Sequence, residues 1–78
     1  MTNLQKYEKA FTDALGVSNN ELAGLKYQDI SQWDSVGHMS LIAAIEETFD
    51  IMMDTDDIID FSSFEKGKEI LKKYNVEL

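Results

Sequence analysis

Six consecutive residues, Trp33-Asp34-Ser35-Val36-Gly37-His38, bring a hydroxyl, a carboxylate and the chain's one imidazole close together. Nucleophilic catalysis would pair Ser35 with His38 across one helical turn, and Ser35-Val36-Gly37 is half of a G-x-S-x-G nucleophile elbow. The other half fails: Trp33 stands in the first glycine position, no strand precedes the serine, and neither an oxyanion site nor a water-excluding pocket is readable. A hydrolase is not expected. Phosphate attachment is electrostatically tolerable, although the residues alone favour a plain N-cap serine. At the start of a helix, a phosphodiester on Ser35 would sit beside unpaired backbone N–H groups and the positive end of the dipole. The competing reading makes Ser35 a plain N-cap serine. His38 falls near the core-facing stripe and reads as a packed or half-exposed first-turn residue rather than a proton carrier.

Asp54, Asp56 and Asp57 invite a calcium reading that the register defeats. Counted from Asp54, the chelating-glutamate position holds Glu65, but the glycine position, where the loop must turn sharply, holds Ile59. With no cysteine and a single histidine there is no disulfide framework, no thiolate zinc site and no histidine cluster, so no metal is expected. Fifteen acids against seven lysines leave a net charge of −8, the wrong sign for nucleic acid and the right one for a basic protein partner. Ten acids and no lysine or arginine lie between Lys26 and Lys66, a one-sided block that repels itself and costs stability.

Seventy-eight residues, 44% hydrophobic, make one small domain with a modest core, expected over 1–78. Binding or carrying is favoured over catalysis at this size. The first residues lack a signal peptide's apolar run and no stretch reaches 18 apolar residues, so membrane insertion is not expected and cytoplasm is the expected compartment. Leu4, Tyr7, Phe11, Ala14 and Leu15 recur at helical spacing, with Thr2 and Gln5 set as a capping box and Gly16 as the stop. Residues 17–33 lose that spacing and read as a long, anchored loop holding one short turn. A second helix covers 35–49, with Asp34 or Ser35 as its cap. A short third helix follows Asp54-Thr55-Asp56-Asp57, tied to the core by Ile58, Ile59 and Phe61. The fourth begins at a Ser62 to Glu65 capping box and is weakened by Gly67. The expected fold is an all-α bundle of three main helices and one short one.

On a wheel of roughly 100° per residue, the second helix carries Leu41, Ile42, Ile45 and Phe49 on one side and Val36, Met39 and Ala43 nearly opposite. With Glu46, Glu47 and Asp50 beside it, the second set forms an apolar patch with an acidic rim that a partner helix could cover. The alternative is that the 17–33 loop folds over this face and buries it.

Acidic midsection, long first loop and Asp34-Ser35 opening an amphipathic helix together resemble the acyl carrier proteins and their peptidyl and D-alanyl relatives, over essentially the whole chain. The most specific stretch, residues 33–51, is similar to the family's D-S-[LV] signature, its helix and its E-E-x-F close. The resemblance implies that Ser35, flanked by Asp34, is esterified by 4′-phosphopantetheine from coenzyme A, giving a cysteine-free chain a thiol that carries acyl or aminoacyl groups as thioesters. It implies a monomeric carrier served by a phosphopantetheinyl transferase, an acyl- or aminoacyl-activating ligase and downstream transferases or synthases. Val36, Met39, Ala43, Glu46, Glu47 and Asp50, with Asp56 and Asp57, would face those partners. Gly37, His38 and Ser40 stand where fatty-acid carriers commonly have acids, and no proline precedes the third helix. Both departures point toward a specialised pathway, such as secondary metabolism or cell-surface glycan modification, rather than housekeeping fatty-acid synthesis. The rival from another class is an acidic interaction module without a prosthetic group, binding a basic helix through Val36, Met39 and Ala43.

Overall fold

A computed structural model of the protein describes all 78 residues. It is all-α: α1 (Asn3–Leu15), a 3₁₀ turn (Asn19–Glu21), α2 (Ser35–Phe49), α3 (Thr55–Asp60) and α4 (Phe64–Lys72). No helix is long and apolar enough to cross a membrane.

Local chemistry sets the ends of α1. Thr2 Oγ1 accepts from the Gln5 N–H at 3.1 Å while Gln5 Oε1 accepts from the Thr2 N–H at 2.8 Å, which satisfies two donors that a helix start leaves unpaired. Gly16 closes the helix in the left-handed region (φ 69°), donating its N–H to the Thr12 carbonyl. Between these caps α1 turns Tyr7, Ala10, Phe11 and Leu15 inward against α2.

Phe11 sits at the middle of an aromatic core. Its ring meets Phe64 edge-on with centroids 5.0 Å apart, meets Trp33 edge-on at 5.5 Å, and stacks on Phe61 at 6.0 Å. Tyr7 joins this cluster, and its hydroxyl donates to the Phe64 carbonyl at 2.6 Å. Burial pushes that hydroxyl well above the usual phenol range. Gly67, a weak helix former in mid-α4, is explained here: a Cβ at that position would collide with the Tyr7 hydroxyl and the Phe61 ring. The close approach of α4 to the core offsets the helix-propensity loss of ~1 kcal/mol.

The 17–33 loop is anchored by Val17, Leu22, Leu25 and Trp33, all buried. It is also pinned to the α3–α4 junction by an isolated antiparallel bridge between Lys26 and Ser63. There the Tyr27 N–H donates to the Ser62 carbonyl and the Phe64 N–H to the Leu25 carbonyl, both at 2.9 Å. This pairing shifts the start of α4 by one residue from expectation. Ser63 is the cap, its Oγ accepting from the Lys66 N–H at 2.9 Å, while the Ser62 carbonyl is taken by the Tyr27 N–H of the loop. The third helix also differs from its expected anchoring. Phe61 is buried and Ile58 half-buried, but Ile59 is 71% exposed.

Candidate functional site

The N-terminus of α2 decides between the two caps its sequence allows. Asp34 is the cap: its Oδ1 accepts from the Gly37 N–H at 2.8 Å. Ser35 is thereby displaced to the first helical position, exposed, with its hydroxyl free of the capping bond. The plain-cap reading of Ser35 is overturned, since the carboxylate one residue earlier already fills that role. The Ser35 and Val36 N–H groups have no main-chain acceptor, so the positive end of the dipole opens beside the hydroxyl. Gly37 is required by the loop: a Cβ there would collide with the Gln32 carbonyl. The loop thus runs tightly against the first turn of α2, which fixes the direction in which Ser35 emerges.

Ser35 stands between two depressions. One, of about 350 Å³, lies between α2, α3 and the loop, and Tyr27, His38, Met39, Ile58, Ile59, Phe61 and Ser62 line it together with Ser35. The other is shallower and runs along the outer face of α2 past Val36, Met39, Ser40 and Ala43. Val36 is 74% and Met39 57% exposed, and Ala43 is open to solvent. The loop packs on the first turn of α2 and leaves this outer face uncovered, so the expectation that it might bury the patch is overturned.

His38 is committed on both ring nitrogens. The Trp33 indole N–H donates to Nδ1 at 2.9 Å, and Nε2 lies 2.8 Å from the Ile58 carbonyl. An acceptor at Nδ1 fixes the neutral ring with its proton on Nε2, donating to Ile58. No Ser35–His38 pair exists for nucleophilic catalysis, because the imidazole is fully used in joining the loop to α3.

The acids divide into two groups. Glu47, Asp50 and Asp56 are exposed, as the partner-facing reading requires. Asp50, at the left-handed C-terminal cap of α2, lies a helix length of about 20 Å from Ser35. Glu46 is half-buried and its Oε2 accepts from the Met53 N–H at 2.8 Å, so it also fastens the chain leaving α2. Asp57 is the correction. It is only 4% exposed, with Oδ1 held by Lys73 Nζ at 2.6 Å and Oδ2 by the Tyr74 hydroxyl at 2.5 Å. These two donors, Lys73 first, hold its carboxyl below the usual carboxylate range. Asp57 is a structural tie between α3 and the end of α4 and presents no charge to a partner. No three His, Asp or Glu side chains converge as a metal site would need.

Sequence reasoning missed the far walls of the groove: Tyr27, Ile58, Phe61 and Ser62 come from segments remote from Ser35. One signal was available for His38. A buried tryptophan needs an acceptor for its N–H, and an imidazole five residues on, at the next turn of chain, can supply it. Compared with family models, with curated proteins and with solved structures, the chain gives no match.

Proposed function

We propose that the protein is a carrier: Ser35 is esterified by 4′-phosphopantetheine, and the chain presents acyl or aminoacyl groups to partner enzymes without catalysing their reactions. The observation that carries this reading is Ser35 itself, exposed at the first position of α2 and relieved of capping by Asp34. The residues around it suit a phosphodiester. Unpaired Ser35 and Val36 N–H groups lie at the positive end of the dipole, and the Asp34 carboxylate is turned toward the Gly37 N–H. In the loading step the Ser35 Oγ–P bond forms as the pyrophosphate bond of coenzyme A breaks, adenosine 3′,5′-bisphosphate leaves, and the transferase takes the serine proton. The bound group supplies the thiol on which cargo is held as a thioester.

This chain's own residues then position and dock. Gly37 and the Gln32 carbonyl fix the root of the arm, while Val36, Met39 and Ala43 offer an apolar face and Glu47, Asp50 and Asp56 an acidic rim. An apolar centre with charges at its edge suits transient encounters, where the rim sets the association rate. Partners of this kind are a phosphopantetheinyl transferase, an activating ligase and downstream transferases or synthases, with a specialised pathway as the setting.

Intact-mass measurement after incubation with a phosphopantetheinyl transferase and coenzyme A tests the reading. Wild type should gain one phosphopantetheine and Ser35→Ala none. An unmodified wild type favours the acidic interaction module, and a modified alanine variant moves the attachment elsewhere.

A further inference from the structure

The imidazole of His38 joins three walls of the groove: the loop through Trp33, α2 through its own backbone, and α3 through the Ile58 carbonyl. Its two bonds respond oppositely to a proton. The neutral ring accepts from Trp33 at Nδ1 and donates to Ile58 from Nε2, so both are satisfied. Protonation would place a second N–H on Nδ1, facing the indole N–H donor. The Trp33 bond would be lost and a fully buried donor left without an acceptor, whereas the Nε2–H bond to Ile58 would gain charge assistance.

We propose that His38 is a one-sided acid-sensitive staple: when protonated it keeps hold of α3 and releases Trp33, loosening the loop wall of the groove beside Ser35. The surroundings offer no compensation. The groups facing the ring are Trp33 and Tyr27 from the loop, the latter edge-on at 5.3 Å, the Ile58 carbonyl from α3, and the Phe61 ring that follows it at 6.1 Å. Of the carboxylates on those elements, Asp29 accepts from the Lys26 N–H, Asp34 from the Gly37 N–H and Asp57 from Lys73 and Tyr74, while Asp54, Asp56 and Asp60 are exposed on α3 and make no bond to the ring. Tyr27, which lines the groove and packs edge-on to both Trp33 and His38, moves with the released loop.

One histidine and one tryptophan make the test unambiguous in the full chain. NMR follows the His38 ring protons and the hydrogen-exchange protection factor of the Trp33 indole N–H, which is corrected for the intrinsic pH dependence of exchange. As the ring takes up its proton, the protection factor should fall about tenfold, the scale of leaving one buried donor unpaired. The fall should share its midpoint with the His38 ring. His38→Gln, whose amide can accept from the indole and donate to Ile58 without titrating, should keep its protection as the pH falls. Protection that stays constant while the ring titrates overturns the proposal, as does an equal fall in the glutamine variant. Should that variant not fold, wild type alone decides by whether the two midpoints coincide. Neither measurement uses Ser35, so its outcome is separate from that of the mass experiment.

Discussion

Helices α2 and α3 both open on an aspartate, yet they are held by different means. Asp34 closes the first turn of α2 with its own side chain, and fifteen residues then lay Leu41, Ile42 and Ile45 into the core. Asp54 makes no such bond, and α3 has six residues with Ile59 facing solvent. What holds α3 comes from outside it: His38 on the Ile58 carbonyl, Lys73 and Tyr74 on Asp57, and the Asp54 N–H on the Tyr74 hydroxyl at 2.9 Å. A long helix is stabilised by its own caps and stripe, whereas a short one survives on tethers from its neighbours.

The largest effect should come from Ile45→Ala. Truncating this fully buried side chain should cost about 2–5 kcal/mol and lower the protection of every helix together, read by urea melts and amide exchange. Exchange rising in α2 alone would mean the bundle does not unfold as one unit. Asp34→Ala comes next, at about 1 kcal/mol, because the Gly37 N–H loses its acceptor. A loss of that size in the melt, with α2 fraying first at residues 35–38, would support local capping; no change would transfer the role to Ser35.

The smallest and most selective effect concerns Asp57 and acid. Its folded carboxyl lies below the ordinary value, so its stabilisation is complete above about pH 4 and is lost as the pH falls through the lower folded value. Amides of residues 58–61 should lose protection in that acid window ahead of α2. Asp57→Asn should expose them similarly at neutral pH and flatten the acid response. Equal loss in α2 and α3 would erase the distinction between the two helices.

Features that depend on near neighbours in the chain were readable. Thr2 with Gln5, Gly16, and the Leu41-Ile42-Ile45 stripe lie within one or two turns of the groups they serve. Features that depend on distant segments were not. Asp57 looked like one more surface acid because its partners lie 16 and 17 residues away, and Ser62 looked like a cap because the loop that claims its carbonyl had no visible address. Asp34 and Ser35 could not be ranked as caps from their types, since both residues cap well. Ser35 was legible as a candidate because it opens the helix; the groove beside it was not, being assembled from α2, α3 and the loop.

Met39 and Met53 sit on opposite sides of a chemical divide. Met53 is 7% exposed, while Met39 is 57% exposed and lines both of the depressions that flank Ser35. Met1 and Met52 are more exposed still, but at Met39 a mild oxidant would turn a flexible apolar side chain into a polar, chiral sulfoxide at the centre of the apolar face of α2. Methionine sulfoxide reductases would reverse it. The exposed apolar face of α2 is therefore a point of oxidative vulnerability, while the buried Met53 is shielded.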